Sequence, residues 1–208
     1  MNESDAMSLL RNSDSLVFST RDFSMLADIS VTFASQMLRR LAAKGRLTRL
    51  YQGLWADAPR PEFNLYLVVP MLTRPHPAAV SMLSALHLHG IIEQIPQVVD
   101  VVSTAPTKKI KTPVANYFIH QIKPELFTGY EYYRGEGKFL IATPEKALVD
   151  SAYFASRKGM RFSAMPELHL PKGFSRRKAI RLTNQISNLR IRTSVKKRLG
   201  DWMERNRQ

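Results

Sequence analysis

Thr32, Ser35, Gln36, Arg39, Arg40 and Lys44 are spaced so that one helical face could carry all six. Together these side chains suit one chemical task, the reading of nucleic-acid base edges. An Arg fork bridges guanine O6 and N7, Gln bridges adenine, and Thr or Ser bonds a base or a phosphate. Ala34, Leu38 and Leu41 recur on the opposite face, so a helix over 31–44 would bury the apolar row and aim the polar one outward. The alternative is an ordinary amphipathic helix with a solvated basic face. Arg46 and Arg49 follow on opposite faces of an alternating segment, with Tyr51 and Gln52 near its tip, where a hairpin would meet sugar and phosphate. Gly53 supplies the permissive backbone of the turn, and Trp55 reads as core.

Residues able to catalyse are poorly arranged by comparison. His87 and His89 stand two apart and would point to different sides of a helix, unlike the i, i+4 pair that places two imidazoles on one metal. His120 and His169 fall in strand or edge segments with no carboxylate at ligand spacing. Glu145 and Asp150 are five apart on a predicted helix, where the helix dipole and a solvated face account for them. No GxSxG, P-loop, GxGxxG or kinase-like set occurs, and residues 135–137 read as a turn. Cysteine is absent, which excludes disulfides, thiolate metal sites and cysteine nucleophiles. The expectation is a protein that is not an enzyme and that uses no cofactor or metal.

The charge points the same way. A formal net charge of +14 on 208 residues favours a polyanionic partner. Residues 172–208 hold twelve basic and two acidic side chains, and residues 29–57 hold five basic and one acidic. In the first of these runs Lys172, Arg176, Arg177, Lys178, Arg181, Arg190, Arg192, Lys196, Lys197 and Arg198 alternate with two apolar stripes. One stripe is Leu182, Ile186 and Leu189, and the other is Val195, Leu199, Trp202 and Met203. Each helix would dock by its stripe and offer the other face to an anion. DNA phosphates suit it first, structured RNA second and an anionic membrane surface last, since Leu182 and Trp202 are better used in docking; a basic face with no partner is the alternative. No run of 18 or more apolar residues occurs, and Glu3 and Asp5 near the start do not suit a secretory signal, so a cytoplasmic protein with no membrane partner is expected.

Helices are expected over 1–12, 20–26 and 31–44, the second capped by Ser19 and the third by Ser30, with Gly45 ending the third. A hairpin over 46–56 follows. Helix, tight turn, helix and hairpin is the winged helix-turn-helix order, assigned to residues 1–57, with 58–64 as linker. Residues 65–208 read as a mixed α/β domain ending in two basic helices, which makes the chain α+β. Within it, strands are expected over 65–70, 98–104, 116–122, 130–133 and 138–142, and helices over 78–89, 144–157, 175–187 and 193–205.

Three segments in order carry a resemblance. They are Arg49-Leu50-Tyr51-Gln52-Gly53-Leu54-Trp55; Ala85-Leu86-His87-Leu88-His89-Gly90-Ile91-Ile92-Glu93-Gln94-Ile95-Pro96 with the strand after it; and Thr143-Pro144-Glu145-Lys146-Ala147-Leu148-Val149-Asp150. From about Phe18 to Tyr153 the chain resembles the AbiEi antitoxins of bacterial abortive-infection toxin–antitoxin systems. The resemblance implies a repressor of its own operon acting on double-stranded DNA with inverted repeats. It also implies a C-terminal domain that counteracts a nucleotidyltransferase-like toxin without a required stable complex. At the wing the family commonly has Arg-Gly, whereas here Gln52 precedes Gly53 and Arg49 stands nearby. A regulator of the same fold without a toxin, or an enzyme acting on nucleic acid, are the other readings. The DNA-facing residues expected are Thr32, Ser35, Gln36, Arg39, Arg40, Lys44, Arg46, Arg49, Tyr51, Gln52, Arg176, Arg177, Lys178, Arg181, Lys196 and Lys197.

Overall fold

Two helices near the start open by the same device. In α1 (Glu3–Asn12) the Asn2 side chain accepts from the Asp5 amide while the Asp5 carboxylate accepts from the Asn2 amide. In α2 (Thr20–Leu26) Ser19 and Asp22 exchange the same pair of bonds. After the turn at 27–30, Ser30 caps α3 (Val31–Ala43), and Gly45, at φ +67°, lets the chain leave that helix in a left-handed turn. The computed structural model describes residues 1–13, 15–157 and 165–205.

The expected hairpin forms as β2 (Thr48–Tyr51) and β3 (Leu54–Ala56), with a bulge between Arg49 and Tyr51. It gains a partner that the sequence did not announce. Strand β1 (Val17–Ser19) pairs antiparallel with β3, which puts β3 in the middle of a three-stranded sheet. Three residues are too few for an alternating pattern to stand out. Beneath this sheet, Ala6, Met7 and Leu10 of α1 join Phe23, Ala34, Met37, Leu38, Leu41 and Trp55 in one apolar cluster.

The rest of the chain builds a mixed sheet of six strands, β4 (Ala78–Val80), β5 (Val99–Ser103), β6 (Lys108–Lys111), β7 (Asn116–Gln121), β8 (Tyr130–Tyr132) and β9 (Leu140–Ala142). Their order is β6-β7-β5-β4-β9-β8, parallel at β5–β7 and β4–β9 and antiparallel elsewhere. Two short helical turns precede and follow its first strand. The second of them, α5 (Met82–Leu88), packs against β5 and β9. Helix α6 (Pro144–Ala155) packs against α5, and α7 (Arg176–Thr183) and α8 (Leu189–Arg205) both pack on α6. The described chain is α+β.

Three expectations are corrected. Residues 65–70 form a 3-10 turn (Leu65–Val68) and the short helix α4 (Val69–Leu72) rather than a strand. There Asn64 caps the turn through the Tyr66 amide, and Pro70 has no N–H for a ladder. Residues 78–80 form β4 instead of opening a helix, because ladders on both sides, to β5 and β9, satisfy their backbone. In the first C-terminal stripe Ile186 is buried but Leu189 is 66% exposed, since the chain turns after Thr183 and Leu189 begins a new helix instead of extending the old row. The second stripe is buried as expected.

The small sheet is not a free-standing unit. Val17, Leu50, Leu54 and Ala56 on its far side pack into the same cluster as Val68, Val69 and the large sheet, and α4 lies against β1. Arg74 pairs with Asp22 at 3.2 Å across this boundary.

Candidate nucleic-acid interface

Helix α3 buries Ala34, Met37, Leu38 and Leu41 and leaves Thr32, Gln36, Arg39 and Arg40 exposed, with Ser35 half-buried. The turn that presents it is tied down: the Ser24 hydroxyl donates to the Ile29 carbonyl at 2.6 Å, and the Ile29 amide returns to the Ser24 carbonyl at 3.1 Å. Arg39 and Arg40 enter no ion pair among the described residues. Lys44 does. Its ammonium lies 2.8 Å from the Glu3 carboxylate and, by that hydrogen bond, holds Glu3 below its ordinary pKa. The outward face therefore ends in two unpaired guanidiniums and one engaged ammonium.

The hairpin stands on the Trp55 ring. The buried indole donates Nε1–H to the Thr20 hydroxyl at 2.9 Å, the Thr20 amide donates to the Gly53 carbonyl at 2.8 Å, and the Arg49 guanidinium lies 5.8 Å from the ring centroid. Gly53, at φ +69°, makes the tip. Arg46 and Gln52 are exposed. Tyr51 is less free, since Lys108 Nζ donates to its hydroxyl at 3.0 Å and sits over its ring at 4.9 Å.

Lys108 belongs to β6, the edge strand of the large sheet, which exposes Lys108, Lys109 and Lys111 and buries Ile110. This lysine row adjoins the hairpin tip, and sequence reasoning missed it. A Lys-Lys-Ile-Lys alternation was the available signal, weak because the strand has four residues and lysines are also the usual guard of a sheet edge. Lys109 also lies over the Phe118 ring at 4.9 Å.

The C-terminal basic residues divide into two kinds. Arg177, Arg181 and Lys197 are exposed, and Lys196 is half-buried. Arg176 instead donates to the Met203 carbonyl at 3.2 Å, fastening α7 to the end of α8, and Lys178 pairs with the buried Glu145 at 2.9 Å. These two also hold the fold together.

Glu145 and Asp150 are not on a solvated face, which corrects their assignment from sequence. Burial would raise the Glu145 carboxyl, but the Ser175 amide at 3.0 Å and the Lys178 ammonium outweigh it and hold the group below its ordinary value. Asp150 gathers Lys146 Nζ at 2.7 Å, the Ser81 hydroxyl at 2.8 Å and the Tyr130 hydroxyl at 2.9 Å. Burial, then the Asp150 charge, pushes the Tyr130 phenol well above its usual pKa. The network anchors the sharp entry to α5, where Met82 takes φ +53°. His120 has a carboxylate partner after all: Asp100 Oδ1 lies 3.0 Å from its Nε2, brought there by the parallel pairing of β5 with β7. Both members are buried, so the pair links strands inside the sheet. Among the described residues no group of three His, Asp or Glu could hold a metal ion, and no helix is long and apolar enough to cross a membrane. Comparison with known proteins finds no family model and no curated protein that matches the chain.

Proposed function

We propose that the chain is a winged helix-turn-helix regulator that binds duplex DNA, reading bases with α3 and touching the backbone with the β2–β3 wing. One observation carries this reading. The face of α3 opposite its buried row presents Thr32, Gln36 and the unpaired Arg39 and Arg40, beside Arg46 in the bend that follows the helix and a hairpin bearing Arg49 and Gln52. A helix of this kind enters a major groove about 12 Å wide, and its side chains can then distinguish base pairs. Lys108, Lys109 and Lys111 extend the cationic track past the wing.

The proposal includes repression of the protein's own operon and neutralisation of a nucleotidyltransferase-like toxin, supported by the order of the three motifs between Phe18 and Tyr153. The third motif supplies fold contacts, since Glu145, Lys146 and Asp150 are internal. Any face offered against a toxin is therefore built from other residues of the larger unit. Co-expression of the full chain with the toxin tests the antitoxin half: restored growth supports it, and persistent growth arrest beside a folded full chain contradicts it.

The DNA half is tested by titrating a labelled duplex from upstream of the reading frame, and a random duplex, at several salt concentrations. Log affinity falls with log salt by about 0.9 for each phosphate contact on duplex DNA. Gln at Lys108, Lys109 and Lys111 is expected to weaken both duplexes alike and to flatten the slope by about one unit for each phosphate no longer neutralised. Equal affinity of the wild type for both duplexes would contradict sequence-specific regulation.

A further inference from the structure

The turn between α2 and α3 carries an apolar surface that the polar and basic face does not use. Met25 is 68% exposed, Leu26 43%, Val31 51% and Phe33 36%, four large apolar side chains within nine residues. The last two lie in the first turn of α3 and flank Thr32 on either side. Val31 shares a row with Ser35, four residues on, and Phe33 shares a row with Gln36 and Arg40, three and seven on. The apolar atoms are thus continuous with the polar side chains that face outward.

Charge selects what can cover them. A second copy of the chain seated on this face would bring Arg39 and Arg40 against their own counterparts, and like charges so placed repel. A DNA groove is polyanionic, and its floor offers one apolar group to a protein, the 5-methyl of thymine. Residues at the start of a helix inserted into the groove are the ones that meet base edges.

We propose that Val31 and Phe33 are specificity-determining residues that read thymine methyl groups, so the operator half-site carries thymines flanking the base pairs contacted by Gln36, Arg39 and Arg40. This rests on the DNA-binding reading given above.

The test uses the upstream duplex made once with thymidine and once with deoxyuridine, which pairs identically but lacks the methyl. Wild-type protein should bind the deoxyuridine duplex about fourfold more weakly for one methyl contact and about fifteenfold for two, from the transfer value of a buried methyl-sized group. The double variant Val31→Ala, Phe33→Ala should bind both duplexes equally, at the strength of wild type on deoxyuridine. Val31→Ala alone, at the more exposed site, should show an intermediate ratio and provides the same readout should the double variant fold poorly. Wild-type binding that is specific but indifferent to the methyl overturns the inference and leaves the DNA-binding reading standing. Retained thymine preference in a folded double variant overturns it as well. So does a change of sedimentation state in that variant with the thymine preference intact, which would assign the patch to self-association. Absence of any specific binding by wild type removes the reading beneath it.

Discussion

Arg39 and Lys44 lie on the same outward side of α3, yet only the former is unpaired. Ala at Arg39 or Arg40 should cost about 1–3 kcal/mol of operator affinity if the fork holds a guanine, and should relax preference at one base position. Ala at Arg46 should weaken all sequences alike. Binding titrations against single-position operator variants distinguish the two patterns. The outward set was legible because a period of 3.6 separates buried from exposed positions without any knowledge of the fold. The engagement of Lys44 was not, because its partner Glu3 is 41 positions away. For the same reason Asp100 and His120 escaped: twenty residues separate them, and only the register of β5 on β7 brings them to 3.0 Å.

Helix α6 shows what the sequence can and cannot say about an element. Thr143 as cap and Pro144 at the first position were readable and set its start, while its end comes at Ala155, two residues before the expected one. That every residue from Glu145 to Phe154 is buried was not readable, since α5, α7, α8 and β9 cover the helix from several directions. The short strands β1 and β4 escaped for a related reason: three residues hold no period, and their strand state comes from neighbours on both sides or on the central strand. Two outcomes follow for α6. Asp150→Ala leaves the Lys146 ammonium buried without its partner and should cost about 3–5 kcal/mol in chemical denaturation. Glu145 is held below its ordinary value of 4.5, so it binds fewer protons folded than unfolded near that pH. Its stabilisation is complete above pH 4.5 and fades as the pH falls through the lowered folded value. Wild type should accordingly exceed Glu145→Gln in stability at neutral pH, and the gap should close in acid. A gap that persists unchanged to low pH would contradict the role given to the Ser175 and Lys178 contacts.

On the scale of the molecule, the division at residues 57 and 65 describes the order of elements but not a mechanical joint. The faces of Val17, Leu50, Leu54 and Ala56 that point away from α3 are closed by the large sheet and by α4. Residues 1–57 produced alone should therefore keep the cluster around Phe23 and Trp55, expose that far face, melt below the full chain and bind DNA more weakly than it; calorimetry and titration of the fragment check this. Such a union also places the Lys108 row beside the hairpin, where Lys108 Nζ donates to the Tyr51 hydroxyl. The measurement that tests this account most directly is a footprint of the full chain on the DNA upstream of its reading frame, set beside the Arg39→Ala, Arg40→Ala variant. A pair of protected, inverted half-sites for the wild type, absent in a folded variant, is the result expected. No protected segment, or the same protection from the variant, would contradict it.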